Sequence, residues 1–178
     1  WSSDVCSSDL GIRAIELINV RQHQHTVIPC GPGANALIGG NNVGKSTAIL
    51  VATRAMAYGE CDDTLIRHGQ DTATIIFHIE DGKRLVMTRK KGRSPPMMYY
   101  LYKGEECLKE GKPQKRNSVP DWVEEELGIT RVDDMDIQLV SQKSPIFLLE
   151  ESGPKRAKIL SVGTEGENLT DLMKIFDG

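Results

Sequence analysis

The chain has 178 residues, of which 39% are hydrophobic and 26% charged, enough for one globular domain with a buried core. Its formal net charge is −3, so any contact with a nucleic acid must come from a local basic patch and not from bulk charge. No apolar run reaches the length of a membrane-spanning helix, and the four cysteines form no C-x-x-C pair, which argues against a zinc site or a disulfide framework and favours a reducing cytosol.

The first ten residues, WSSDVCSSDL, do not match the rest of the chain. They repeat Ser-Ser-Asp, lack periodicity and run directly into a well-patterned strand. We interpret them as translated sequencing adapter, with a short disordered native tail as the alternative. The fold is therefore predicted from residue 11 onward.

Three strands and a helix are predicted in the first third of the chain. Alternating apolar residues predict a strand near residues 11 to 20, and RQHQHTVIPC continues as the second strand of a hairpin. A Gly-Pro-Gly turn at residues 31 to 33 leads into a third strand, which ends in a glycine-rich loop. A helix then runs from about Lys45 to Tyr58 and ends at Gly59.

The glycine-rich loop, GGNNVGKS, has the pattern G-x-x-x-x-G-K-[ST] between a strand and a helix, the context of a phosphate site. Backbone N–H groups from about Asn41 to Ser46 would form a nest for phosphate oxygens, beside the positive end of the helix dipole. Lys45 is predicted to reach the β and γ phosphates, and the Ser46 hydroxyl to ligate Mg²⁺. The alternative is a glycine-rich turn that caps an ordinary helix. The predicted nucleotide-binding residues of the loop are Gly39, Asn41, Asn42, Val43, Gly44, Lys45, Ser46 and Thr47.

The rest of the chain predicts strands followed by helices. DTATIIFHIEDGKRLVMTRKKG predicts a hairpin that turns at Asp81-Gly82, and MMYYLYKGEE predicts a further strand. SVPDWVEEELG predicts a short helix with Ser118 as a possible N-cap and Gly128 at its end. DMDIQLVSQ predicts a strand ending at Gln142, and GPKRAKILSVG and NLTDLMKIF predict two helices. The fold class is α/β.

The carboxylate that usually orders Mg²⁺ at the end of an apolar strand is not found in the two candidate stretches. IIFHIED and MKIFD are interrupted by His78 and Lys174, and the uninterrupted run IFLLE, at residues 146 to 150, lies in the stretch after the predicted strand that ends at Gln142. The chain also lacks D-x-x-G and N-K-x-D, which removes the main support for a GTPase. Either the protein only binds nucleotide, or the carboxylate lies in sequence beyond Gly178.

Four stretches resemble, in order and spacing, the N-terminal half of the ATPase head of SbcC-type DNA double-strand-break repair proteins. This family is related to the SMC proteins and has the ABC-type P-loop fold. The stretches are IELINVRQHQH, in which Val20 replaces the usual aromatic residue, GANALIGGNNVGKST, DTLIRHGQDTATIIFHIEDGKRLVMTRKKG and LVSQKSPIFLLEESGPKRAKIL. The resemblance covers about residues 11 to 178. It implies a lobe with a mixed or antiparallel sheet and a β-hairpin insertion, running into the start of a coiled coil.

The resemblance also implies ATP and Mg²⁺ as cofactors. Arg21 would lie near the nucleotide phosphates, residues Ile66, Arg67 and His68 near the base, and Gln142 would ligate Mg²⁺ and sense the γ-phosphate. In that family a C-terminal half supplies the signature motif and the acidic strand end. This chain alone is therefore expected to bind ATP weakly and to hydrolyse it hardly at all.

The partners implied by the resemblance are a second identical head, an SbcD-like nuclease subunit and double-stranded DNA ends. The implied location is the cytoplasm of a bacterium or a phage-infected cell, near the nucleoid, and no membrane is implied as a partner. Two alternatives stay open, an SMC-like chromosome-organising ATPase and a compact RecF-like ABC ATPase. The apex of the coiled coil separates the first two, since the repair family has C-x-x-C there and SMC proteins have a folded hinge.

Two smaller signals have plainer alternatives. His23 and His25 alternate on one strand and could ligate a metal, although a solvated edge is the expected role. The cations of TRKKGR (Arg89, Lys90, Lys91 and Arg93), beside Tyr99, Tyr100 and Tyr102, could contact a DNA backbone, with a solvated hairpin tip as the alternative.

Overall fold

The structure is a computed structural model that describes residues 11–92, 96–115, 118–129, 131–132, 135–136, 138–139 and 153. The chain divides into two compact units, one up to Ile129 and one from Thr130 onward. The second unit contains a short antiparallel pair of strands, Arg131–Val132 and Met135–Asp136. Gln142 and, apart from Gly153, the two helices predicted near the C-terminus lie outside the described residues.

Eight strands and two α-helices are described. They are β1 (Ile12–Val20), β2 (His23–Pro29), α1 (Ala52–Tyr58), β3 (Thr72–Ile79), β4 (Lys83–Lys90), β5 (Met97–Lys103), β6 (Glu106–Gly111), α2 (Asp121–Leu127), β7 (Arg131–Val132) and β8 (Met135–Asp136). The first six strands form one sheet in the order β2-β1-β3-β4-β5-β6, and every neighbouring pair is antiparallel. Of the two sheet types expected, the described strands of the first unit therefore form the antiparallel one.

One face of this sheet carries the core, because apolar residues alternate along the strands. Leu17, Phe77 and Leu85 are fully buried there, and burying each such side chain contributes about 1.5–3 kcal/mol. Helix α1 packs on the same face, where the Tyr99 hydroxyl donates a hydrogen bond to the Ala55 carbonyl at 3.0 Å. Burial raises the pKa of Tyr99 far above its ordinary value, so the hydroxyl stays protonated as the donor.

The helix after the phosphate loop has the predicted extent. Its helical backbone begins at Lys45, passes through a π-helical stretch at Thr47–Val51 and continues as α1. It ends at Gly59, whose φ of 66° is left-handed, as a helix-terminating glycine requires. Thr53 belongs to the first turn of α1 and donates a hydrogen bond back to the Ile49 carbonyl.

The strand predicted before the phosphate loop is absent. Residues 33 to 38 have no strand hydrogen bonding, and Leu37 and Ile38 are 38% and 91% exposed. A strand is stable only when its N–H and C=O groups pair with a neighbour, and no described strand pairs with this segment. The apolar composition of this segment predicts a strand, but it gives no information about whether a neighbouring strand is present to pair with it.

Two further differences concern the last elements of the first unit. Strand β6 was not predicted, because ECLKEG is an exposed edge strand without alternating apolar residues. Helix α2 ends at Gly128, as predicted, but its N-cap is Pro120 and not Ser118. The Ser118 hydroxyl instead donates to the Lys115 carbonyl at 2.9 Å and accepts from the Lys115 N–H at 3.1 Å.

The face of the sheet opposite the core holds a carboxylate between two imidazoles. Glu16 on β1 accepts hydrogen bonds from His78 Nε2 on β3 at 2.9 Å and from His25 Nε2 on β2 at 2.8 Å. These bonds, that from His78 first, lower the pKa of Glu16 below its ordinary value of 4.5. Its ionised form therefore stabilises the fold above that value, and this stability is lost as the pH falls through the lowered pKa. His25 is thus paired and is not simply a solvated edge.

We expect Glu16→Gln to destabilise the protein at neutral pH and to lose less stability on acidification than the wild type does. Glutamine does not ionise, so the wild-type advantage should shrink as the pH falls below about 4.5. Urea unfolding between about pH 7 and about pH 3 measures both proteins. Glu80→Gln is the control, because the Glu80–Arg13 ion pair is more than half exposed on both sides and should contribute little at any pH. A wild-type advantage of constant size at every pH contradicts the prediction.

Candidate nucleotide site

The phosphate loop, residues 39 to 46, leads directly into a helix. Gly44 has a φ of 96° and Asn42 a φ of 60°, both left-handed, which glycine adopts freely and asparagine tolerates. The Ala48 N–H donates to the Gly44 carbonyl at 2.8 Å, which forms the first helical turn. The free N–H groups of that turn lie at a helix N-terminus, where an anion is stabilised.

The Lys45 ammonium lies across its own loop. It donates to the carbonyl of Gly39 at 2.8 Å and to that of Gly40 at 2.5 Å. Phosphate oxygens are stronger acceptors for an ammonium than neutral carbonyls are. Ser46 beside it is exposed, while Thr47 is buried, so the Ser46 hydroxyl is open to a hydrated cation.

The turn between β1 and β2 is fixed by the segment that follows α1. The Arg21 N–H donates to the Leu65 carbonyl at 2.8 Å, and the Arg67 N–H donates to the Asn19 carbonyl at 2.9 Å. The Arg67 guanidinium donates to the carbonyl of Gln22 at 2.5 Å and lies 3.4 Å from that of Arg21. The turn therefore has little freedom, and its Arg21 adopts a left-handed φ of 49°.

This turn contacts the phosphate loop. His23 Nε2 lies 3.2 Å from the Gly44 carbonyl. A Cβ atom added to Gly44 would lie 2.4 Å from His23 Nε2 and 2.6 Å from Gln22 Nε2, so only glycine fits there without a shift. Arg21 is adjacent to these two residues in sequence, and the structure thus brings its turn against the predicted phosphate site.

A cavity of about 360 Å³ opens beside the turn, within the size range of small-molecule sites. Its lining residues come from the turn, from the helix after the loop and from the segment after α1; they are Arg21, Val51, Glu60, Cys61, Asp62, Thr64 and Leu65. The three residues predicted near the base do not line it. Ile66 is buried, Arg67 holds the turn and His68 is exposed.

The charged groups of the cavity wall are held in place. The Thr64 side chain and N–H donate to Asp62 and are the main cause of its lowered pKa, with Arg89 and Arg21 adding smaller attractions. Burial raises the pKa of the Cys61 thiol, so this cysteine is the neutral thiol at pH 7. The wall is therefore polar, with an ionised carboxylate close to Arg21.

Arg89 is buried behind this wall and is not part of an exposed basic patch. It is 9% exposed, and its Nη2 donates to Asp63 Oδ1 at 2.9 Å while its Nη1 donates to the Cys61 carbonyl at 3.2 Å. Tyr99 is fully buried as well, and Arg93 lies outside the described residues. The proposed basic cluster keeps only Lys90 and Lys91 as exposed described cations. Successive side chains of a strand point to opposite faces, and those of residues 89 and 99 point to the core face. The prediction that both belong to a surface cluster was therefore wrong.

Of the predicted metal ligands, Ser46 is among the described residues and Gln142 lies outside them. Within the described ranges, no group of three or more His, Cys, Asp or Glu side chains is arranged to hold a metal ion. The His23 ring contacts Thr26 and Gly44, and the His25 ring contacts Glu16, so the two histidines do not share a partner. Nor does that part of the chain include a helix with the length and apolar character needed to cross a membrane.

The comparison with solved structures finds a protein of similar fold. The chain is similar to a structure from a study of the "structural biochemistry of ATP-driven dimerization and DNA stimulated activation of SMC ATPases", with a TM-score of 0.55 and 18% identity. The similarity covers 84% of this chain and 97% of that one. No protein-family model and no curated protein matches the sequence. The comparison thus supports the SMC-like head predicted from the sequence and does not single out the SbcC type.

Proposed function

We propose that this chain is the ATP-binding lobe of an SMC-like ATPase head, and within that class the lobe of a DNA double-strand-break repair ATPase. The observation that carries the proposal is the loop GGNNVGKS at a helix N-terminus, with the Lys45 ammonium over it. A glycine turn that only caps a helix needs neither the lysine nor the serine that follow Gly44. The SMC-type fold gives such a loop a nucleotide-binding context.

The residues present fit Mg-ATP. The N–H groups of the loop would hold the phosphates, and Lys45 would turn from the Gly39 and Gly40 carbonyls to their oxygens. Ser46, together with Gln142, would ligate Mg²⁺, which neutralises phosphate charge when bound. The cavity beside Arg21 is proposed to take the nucleoside, because its wall touches both the turn that contacts the loop and the helix that follows the loop.

The proposed role of ATP is to join two heads. In the family that the sequence resembles, ATP is sandwiched between two heads, and their closing and opening admit DNA ends to a nuclease subunit. The similar structure comes from a study of ATP-driven dimerization and DNA-stimulated activation of SMC ATPases, which supports a head dimer and DNA as partners. Efficient hydrolysis is proposed to need a C-terminal half that supplies the acidic strand end.

A second candidate is an SMC-like clamp that organises chromosomes and has no nuclease. It is favoured by the similar structure, which is an SMC ATPase. Sequencing the source DNA downstream of Gly178 separates the two. A coiled coil with C-x-x-C at its apex supports the repair ATPase, and a folded hinge domain supports the clamp.

Calorimetric titration with ATP, ADP and adenosine, each with Mg²⁺, tests the nucleotide site itself. If the loop holds phosphates, affinity should fall from ATP to ADP and drop furthest for adenosine. Adenosine binding as tightly as ATP, or no binding of any of the three, would contradict the proposal.

Gln142→Ala tests the proposed metal ligand. We expect the variant to bind ATP without Mg²⁺ as the wild type does, and to lose most of the gain in affinity that Mg²⁺ gives, because one oxygen ligand is removed. Gln114→Ala is the matched control, since Gln114 is an exposed glutamine elsewhere in the chain. Equal Mg²⁺ dependence in the variant and the wild type would remove Gln142 from the site.

A further inference from the structure

We infer that His23 is a positioning residue of the phosphate loop, acting through the Gly44 carbonyl; the inference deepens the proposed nucleotide site and rests on it. His23 does not belong to the loop and was expected to be a solvated edge residue. In the structure it is partly buried, and both of its ring nitrogens have partners.

The two partners define the tautomer of the neutral ring. A carbonyl oxygen can only accept, so Nε2 carries the hydrogen and donates to the Gly44 carbonyl at 3.2 Å. Nδ1 then has a lone pair and accepts from the Thr26 hydroxyl at 3.0 Å. Thr26 thus holds the imidazole as the Nε2–H tautomer, the form that can reach the loop as a donor.

The Gly44 carbonyl links His23 to the phosphate-binding groups. This oxygen also accepts from the Ala48 N–H at 2.8 Å, so both of its lone pairs are used. It shares a planar trans peptide unit with the Lys45 N–H, which must point the opposite way. Fixing the carbonyl from two directions therefore fixes the direction in which the Lys45 N–H faces a bound phosphate.

Arg67 fixes the strand turn from which His23 reaches the loop. Its guanidinium donates to the Gln22 carbonyl at 2.5 Å, and its N–H donates to the Asn19 carbonyl at 2.9 Å. The cation is therefore committed to the turn. The contacts run from Arg67 through the turn to His23 and from there to Gly44. His23 acts on phosphate binding and touches no phosphate itself.

The binding test compares His23→Leu, His23→Gln and His25→Leu for affinity to Mg-ATP and to inorganic tripolyphosphate with Mg²⁺. Leucine removes the donor at similar size, whereas glutamine keeps an N–H donor. The loss of one hydrogen bond predicts that His23→Leu binds both ligands about 3- to 10-fold more weakly. His23→Gln should recover to within about twofold, which separates a donor from a space-filling role. His25→Leu, two residues along β2 and bonded to Glu16, should also stay within about twofold.

The second measurement is the ¹⁵N chemical shifts of the His23 ring, in the wild type and in Thr26→Val. The wild type should show the Nε2–H tautomer, and Thr26→Val should shift the ring toward the Nδ1–H form and weaken Mg-ATP binding in the same direction as His23→Leu. An Nδ1–H tautomer in the wild type overturns the inference. So does a His23→Leu protein that binds as tightly as the wild type, or a His23→Gln protein as weak as His23→Leu.

Failure of the inference is separable from failure of the proposed function. A wild-type protein that binds neither Mg-ATP nor tripolyphosphate contradicts the nucleotide site itself, and the inference falls with it. A wild-type protein that binds both, with the three variants unchanged, keeps the nucleotide site and removes His23 from it. Thermal melting of each variant shows whether a loss of binding reflects unfolding, in which case the ring tautomer decides.

Discussion

Lys45→Ala is expected to lower the affinity of this chain for Mg-ATP by at least about 100-fold, the cost of removing one partner from a desolvated charge pair. The ammonium already lies over the loop, 2.8 Å from the Gly39 carbonyl, so it reaches phosphate oxygens with little rearrangement. No other described cation occupies that position, and alanine leaves the phosphate charge uncompensated. Calorimetric titration of the wild type and the variant measures the change.

The same substitution should barely change stability. Lys45 bonds only to exposed loop carbonyls, so the free energy of unfolding should stay within about 0.5 kcal/mol of the wild-type value. Lys112→Ala, which removes an exposed lysine outside the loop, is the control and should bind Mg-ATP normally. If Lys45→Ala binds Mg-ATP as tightly as the wild type, the loop is only a helix cap.

Features set by local sequence could be predicted. The glycine pattern and its helix, the hairpin strands β1 and β2, and the helix ends at Gly59 and Gly128 each depend on a few neighbouring residues. Left-handed backbone at a helix end needs glycine, and alternation of apolar residues needs only the two faces of a strand. Such signals are complete within about ten residues, and for that reason the sequence contains them.

Features set by distant partners could not be predicted. Residues 33 to 38 have the composition of a strand, but no described strand pairs with them. The sequence predicted Arg89 in a surface cluster. In the structure it lies on the core face of the sheet, where it donates a hydrogen bond to Asp63, 26 residues away in sequence. Pairing across that distance leaves no trace in a single sequence.

The contact between His23 and the loop was missed for the same reason. The alternation of His23 and His25 predicts a shared strand face, but it does not predict that one ring reaches Gly44 and the other Glu16. His23 lies at the turn end of the hairpin, whereas the chain leaves β2 for the phosphate loop at Pro29, the opposite end. The local pattern therefore carries no signal for this contact.

Gly59→Ala is expected to destabilise the protein by about 2–5 kcal/mol, from two separate costs. The left-handed φ of 66° costs an alanine about 1–2 kcal/mol. In addition, the new Cβ would lie 2.4 Å from the Ser118 carbonyl oxygen, a backbone atom that cannot rotate away as a side chain can. Because the segment before α2 has to move, overpacking adds about 1–3 kcal/mol.

Gly128→Ala is the matched control and isolates the first cost. Gly128 ends α2 with a φ of 63°, nearly the same as that of Gly59, but nothing lies within 4 Å of the Cβ that alanine would add. This variant should lose only the backbone cost, about 1–2 kcal/mol. Urea unfolding of the two variants against the wild type gives both values, and their difference measures how tightly the end of α1 packs against Ser118. Equal losses in the two variants would show that the end of α1 and Ser118 are not in contact in solution.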